Sequence, residues 1–169
     1  MRTNRHRHKQ PPEATRHSNS KATMIDISDK TNTRRTAIAQ ARLHVQPELI
    51  ERIRRGDIPK GDPLEVAKVA AVQSAKNTSQ IIPYCHPLPI SFVGVEHELS
   101  EDTVTTTVTV KANYKTGVEM EALTAAAAAG LTIYDMLKMF GQRMELDIKL
   151  LSKTGGKSDF QDSPGKSGA

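Results

Sequence analysis

The chain of 169 residues contains no tryptophan and only three tyrosines and three phenylalanines. Its core must therefore be aliphatic, and it has little material for the aromatic platforms on which nucleic-acid bases stack. Cys85 is its single cysteine. An intramolecular disulfide is thereby excluded, a pattern that fits a reducing compartment and a cytoplasmic location. The longest apolar run, Ala122 to Ile133, is too short to cross a bilayer. The first residues lack the apolar block of a secretory signal. No internal repeat and no redox-cofactor fingerprint is present.

A basic surface is also missing, despite a formal net charge of +5. Residues 1–23 hold Arg2, Arg5, Arg7, Lys9, Arg16 and Lys21 against one acid, Glu13, which accounts for the whole excess. The remainder balances at eighteen bases and eighteen acids. The high pI thus describes the tail, and a nucleic-acid reading of the whole chain loses its main support. The tail is poor in acid, like an organellar transit segment, but has almost nothing to bury and reads as a disordered extension. His6 and His8 are read as solvated rather than as metal ligands. The length suits one domain. The expected organisation is a basic tail at 1–23, one folded domain at 24–158 and a flexible tail at 159–169.

Hydrophobic spacing then sets the elements. Thr36–Val45 alternates and reads as a strand. Pro47 opens a helix to Arg55, ended by Gly56. Asp57–Asp62 is a loop with turn chemistry. Asp62 is placed to cap a second helix with Pro63 first inside and Glu65 at the capping-box position. That helix runs to about Thr78, with Val66, Val69, Ala70, Gln73 and Ala75 at helical spacing. A Pro-bounded loop, Ile81–Pro89, follows. Ile90–Leu99 and Thr103–Tyr114 alternate with period two and read as a hairpin about Ser100–Asp102. Thr116–Phe140 is a long helix rich in Ala and Leu, and Arg143–Leu151 is a closing strand. The order is β-α-α-β-β-α-β. This predicts an α+β, ferredoxin-like fold, an antiparallel sheet packed on helices once the additional short helix is set aside. Such a fold hosts many functions.

The long helix carries chemistry at both ends. Glu119 and Glu121 fall in its first turn, and Asp135 and Lys138 share a face near its end. The apolar run beside that face offers desolvation that would shift both pKa values. Glu121 and Asp135 are fourteen residues apart, about 21 Å along a straight helix. One small-molecule site on one chain cannot easily use both, so a site completed by a second chain is expected. The alternative is an ordinary core helix with a solvated ion pair. Elsewhere, Pro83, Pro87 and Pro89 stiffen the loop that presents Cys85 and His86. On residue type alone Cys85 reads as structural, and His86 as either a ligand-binding or a merely hydrogen-bonded residue. Zinc would need further ligands at metal spacing, and none occur. Lys60, beside Gly61 before a helix N-terminus, suits a phosphate or is a solvated loop lysine. Lys153-Thr154-Gly155-Gly156-Lys157-Ser158 looks like a phosphate loop. It fails the Walker pattern, because position 151 is Leu and no helix follows. Lys153 and Lys157 remain candidate anion-binding cations. Several lysines, one histidine and carboxylates together suit a phosphorylated substrate whose rearrangement needs proton transfers.

Six motifs in one order then carry a resemblance. They are MIDIS followed by Lys30, KGD at Lys60–Asp62, CHPL at Cys85–Leu88, TGVEMEALTA at Thr116–Ala125, LTIYDMLK at Leu131–Lys138, and KTGGKS from Lys153. Over about Met24 to Ser158 the chain resembles the cyclic pyranopterin monophosphate synthase family of molybdenum cofactor biosynthesis. The resemblance implies a lyase acting on a cyclised dihydro-GTP (3',8-cyclo-7,8-dihydro-GTP). The product would be cyclic pyranopterin monophosphate, with release of pyrophosphate and no metal or organic cofactor. It implies Asp135 and Lys138 as the catalytic pair. It implies Lys60, Cys85, His86, Glu119, Met120, Glu121 and Lys153 as the substrate-binding set, with Lys60 and Lys153 holding the triphosphate. It also implies a homohexamer, a trimer of dimers with sites at dimer interfaces, and neither nucleic acid nor membrane as partner. Tyr84, Pro63 and the basic tail depart from the family pattern. The competing readings are a non-enzymatic ferredoxin-like module that binds a nucleotide or RNA, and a structural oligomer with a decayed site.

Overall fold

The computed structural model describes residues 22–162. Strand β1 (Thr33–His44) leads to helices α1 (Pro47–Arg55), α2 (Pro63–Lys76) and the single turn α3 (Thr78–Ile81). The hairpin β2 (Ile90–Leu99) and β3 (Thr103–Tyr114) follows, then α4 (Glu119–Leu137) with a 3₁₀ turn at Lys138–Phe140. Strands β4 (Glu145–Thr154) and β5 (Phe160–Gln161) complete the described chain. One antiparallel sheet has the order β2-β3-β1-β4-β5. Without α1, α3 and β5 this is the expected ferredoxin-like β-α-β-β-α-β arrangement.

Alternation makes the sheet one-sided. Ala37, Ala39, Ala41 and Leu43 of β1 are buried, as are Val104, Thr106, Val108, Val110 and Ala112 of β3. Against that face lie Ala122, Ala125, Ala126, Ala129 and Ile133 of α4, so the core is aliphatic. Small residues on both sides let the helix approach closely. A Cβ on Gly130 would run into Leu146 and Ala41. The same crowding corrects the face expected for α2. Val66 and Val69 are 44% and 67% exposed, and the buried stripe is Pro63, Ala67, Ala71 and Ala75. Against an alanine-lined neighbour, alanine is the side chain that fits.

Local signals explain the helix ends. Gly56 takes φ 68° and closes α1. Asp62 accepts hydrogen bonds from the amides of Leu64 (2.9 Å) and Glu65 (3.3 Å). The Glu65 carboxylate pairs with Lys68. α2 stops at Lys76, two residues before the expected end, and Thr78 Oγ1 donates to the carbonyls of Ser74 and Ala75. β4 runs past Leu151 to Thr154, and β5 pairs with Ser152 and Lys153 at the start of the segment expected as a flexible tail. Residues 1–21 of the basic tail and 163–169 lie outside the described residues. Among those described, no helix is long and apolar enough to cross a membrane.

Candidate active site

The N-terminal end of α4 faces two adjoining cavities. One, of about 540 Å³, is lined by Lys30, Arg35, Lys115, Lys153 and Lys157 together with Gly155, Gly156 and Glu119. The other, of about 470 Å³, is lined by Ile25, Ile82, Tyr84, Cys85, His86 and Met120. Lys30, Thr116, Gly117 and Glu119 belong to both walls. Five cations against Asp29 and Glu119 give the first cavity a net positive lining that suits a polyanion. The second, with its imidazole, thioether and thiol, suits a flat heterocycle.

A bulge turns Lys153 into this site. Ala39 pairs with Leu150 and Ile38 with Ser152, so Leu151 is the additional residue. Beyond it the faces exchange. Leu150 lies opposite Ala39 and Lys153 opposite Ala37, both on the helix side. Regular pairing would have sent Lys153 to the other face. Its Nζ instead meets Glu119 Oε1 at 3.0 Å. Gly117 leaves room for that carboxylate, since a Cβ there would strike it. The loop after β4 doubles back on β1. Thr33 Oγ1 donates to the Gly155 carbonyl at 2.9 Å, the Gly155 amide donates to Asp159 at 3.0 Å, and Gly155 has φ 85°. A side chain there would also meet the Arg34 carbonyl, so glycine is required twice over.

Buried Glu121 is paired with the half-buried Cys85 of the second cavity wall. Glu121 is 2% exposed, and the Cys85 thiol donates to its Oε1 at 3.5 Å. Its Oε2 is buried and has no hydrogen-bond partner. Burial raises the Glu121 pKa, and burial with the adjacent carboxylate pushes the Cys85 thiol up to about 11. Cys85 is thus a protonated donor rather than a thiolate nucleophile at neutral pH.

The other end of α4 carries a separate cluster. Lys138 Nζ lies 2.6 Å from Asp135 Oδ1, and Lys60 Nζ lies 2.8 Å from both Asp135 Oδ2 and the Asp135 carbonyl. The spacing of three holds, although Lys138 begins the 3₁₀ turn rather than ending the α-helix. The expected desolvation is outweighed at this pair. Both side chains are more than half exposed, so ion pairing sets the direction. Hydrogen bonds from Lys138 and then Lys60 pull the Asp135 carboxyl down to about 2. The Asp135 hydrogen bond raises Lys138.

One chain therefore brings Cys85, Glu119, Met120, Glu121, His86 and Lys153 to one end of α4, and Lys60, Asp135 and Lys138 to the other. From Glu119 to Asp135 the axis runs about 24 Å. Lys60 and Lys153 do not share a phosphate site within the chain. Sequence reasoning left Arg35 and Lys115 out of the site. Arg35 lies near the start of β1 and Lys115 just after the end of β3, at positions where alternation marks no ligand. Among the described residues no three His, Cys, Asp or Glu side chains converge on a metal position.

A ferredoxin-like domain with a cationic cavity beside a heterocycle-sized one suits an enzyme acting on a small molecule. The chain belongs to the MoaC family, whose model matches residues 24–156. It is 49% identical to a cyclic pyranopterin monophosphate synthase of Brevibacillus brevis over 144 residues, 83% of this chain and 90% of that one. It is 50% identical to another of Syntrophomonas wolfei over 140 residues, 81% and 89% of the two. It is also 47% identical over 141 residues to a molybdenum cofactor biosynthesis bifunctional protein of Chlorobaculum tepidum, 83% of this chain and 45% of that protein.

Proposed function

We propose that the chain is a cyclic pyranopterin monophosphate synthase of molybdenum cofactor biosynthesis, a cytoplasmic lyase that converts the cyclised dihydro-GTP intermediate and releases pyrophosphate. The observation that carries this is the pair of cavities sharing the Glu119 wall. Their charge and size fit a triphosphate on one side and a purine-derived ring on the other.

The triphosphate lies along Lys30, Arg35, Lys115, Lys153 and Lys157. There they offset the charge that builds as a ribose hydroxyl attacks the α-phosphorus and the bond to pyrophosphate breaks. His86 and Met120 flank the ring, and Glu119 accepts or donates at its edge, while buried Glu121 accepts from the Cys85 thiol beneath. Lys138 enters as the ammonium and gives a proton. Asp135 enters as the carboxylate, which holds Lys60 and Lys138 in place and orients the amine. A second chain brings the Lys60–Asp135–Lys138 end of its own α4 to the cavities, in a dimer repeated three times as a hexamer.

The direct test is incubation with the cyclised dihydro-GTP intermediate. Pyrophosphate and a pterin are expected in equal amounts. Tight binding of a nucleotide or an RNA without turnover would favour the non-enzymatic module instead.

A further inference from the structure

Lys60 and Lys138 come from distant segments, yet each must place an Nζ within 2.8 Å of one Asp135 carboxylate. Ion pairs as exposed as these contribute little on their own and do not hold two lysine stems in register. Something must fix the two backbones.

Arg52 touches both. Its Nη1 donates to Asp57 Oδ2 at 3.0 Å, three residues before Lys60. Its guanidinium lies over the Phe140 ring, 4.8 Å from the centroid and two residues after Lys138. The remaining edge is held from its own helix, where Nη2 and Nε donate to Glu48 Oε1 at 3.0 and 3.3 Å. The Asp57 amide also donates to the Arg52 carbonyl at 2.9 Å. Beyond Asp57, buried Ile58 anchors the loop and accepts the Gly61 amide at 2.9 Å, which sets the turn that presents Lys60. Beyond Lys138, Gly141 at φ 69° closes the turn that ends in Phe140.

We propose that Arg52 is a positioning residue for the proton-transfer cluster, clamping the Lys60 loop with one edge and the Lys138 turn with one face. This rests on the reading of that cluster as the reacting one. Arginine suits the task because its planar fork serves two carboxylates while its face stacks on a ring. A lysine would keep the charge and lose most of that geometry. Because Arg52 acts on the cluster and not on the cavities at the other end of α4, its loss should lower kcat and leave KM nearly unchanged.

The test compares Arg52→Met and Arg52→Lys with Arg54→Met, a charge loss on the same helix. Arg54 pairs with Glu51 and reaches the Leu99 and Ser100 carbonyls, away from the cluster. A displacement of the order of 1 Å at reacting groups lowers a rate by up to about 100-fold. Both Arg52 variants should therefore lose about tenfold to 100-fold in kcat with KM within about twofold, and Arg54→Met should match the parent. NMR titration of the Asp135 carboxyl supplies a readout independent of turnover. In the parent it should titrate near 2, and in Arg52→Met it should move up toward the ordinary carboxyl value.

Folded Arg52 variants with an unchanged Asp135 titration and unchanged kcat would overturn the proposal, as would an equal loss in Arg54→Met. If Arg52→Met does not fold, the same titration on Phe140→Leu and Asp57→Asn decides, each being expected to raise the Asp135 value. A parent protein that fails to turn over the intermediate would instead refute the proposed function, and the titration would still judge the clamp.

Discussion

At the scale of single residues, charge pairing and burial act in opposite senses at the two ends of α4. Pairing in an exposed setting lowers the Asp135 pKa and raises that of Lys138, reinforcing the charges both carry at neutral pH. Replacing Lys138 by Ala removes the proton donor without touching the core. Turnover should fall by about 10²–10⁴-fold, the range of a lost acid–base group, with the thermal midpoint nearly unchanged. A steady-state assay and a melting curve check both parts. Glu121 shows the contrary case. Its folded pKa is raised above the ordinary 4.5 by burial, so the folded state holds a proton that the unfolded state has lost. The stability this contributes is complete below pH 4.5 and falls as pH rises through the folded value. Asp135 behaves inversely, and its contribution fades as pH drops from 3.8 toward 2. Denaturant midpoints should therefore decline in the parent as pH rises above 4.5, and much less in Glu121→Gln. Cys85, pushed from 9.0 to about 11, should react with iodoacetamide at pH 8 about tenfold more slowly than a free thiol. Its thiolate fraction falls about 100-fold, and its intrinsic nucleophilicity recovers about tenfold of that. Mass spectrometry after timed quenching reads it. Residue type alone allowed His86, Lys60 and Lys153 to be singled out, but not their partners. That Lys60 meets Asp135 and Lys153 meets Glu119 depends on chain segments brought together from 75 and 34 positions apart.

Elements were legible wherever a local signal is strong. Pro47 with Gly56 bounded α1, and period-two alternation, of valine and threonine in the second strand, delimited β2 and β3 at the observed residues. Asp62 was read as a cap and is one. Asp62→Ala should cost about 1 kcal/mol of stability, measurable by urea denaturation, because two α2 amides lose their acceptor. Lys60 stands two positions away, so the same variant should also slow turnover. What escaped were features set by packing between elements. The buried stripe of α2 follows the alanine face of α4 and not its own valines. The bulge at Leu151 follows pairing with β1, and alternation along β4 gives no sign of it. β5 is two residues long and forms only because β4 offers an open edge.

For the whole molecule, the length of α4 is decisive. A rigid helix of 19 residues holds the two clusters apart, and the proposed reaction, which uses both, takes them from two chains. Mixing Lys138→Ala with Lys153→Ala, each inactive alone, should restore activity. In a mixed dimer one of two sites inherits both intact lysines, so random exchange predicts about a quarter of parental activity. Recovery absent after verified subunit exchange would assign each site to one chain. The ferredoxin-like topology followed from the order of periodic segments, because short connections and antiparallel pairing leave few ways to arrange them.

The amino-acid sequence by itself determined the order of elements, an aliphatic core, the family and the residue types of the site. Periodicity, caps and motifs are properties of neighbours along the chain. Only the tertiary structure decided which lysine meets which carboxylate, that Lys153 faces α4, and that Arg52 spans two loops. Those outcomes rest on strand register and on helix-to-sheet distance, which are settled when remote segments compete for the same space.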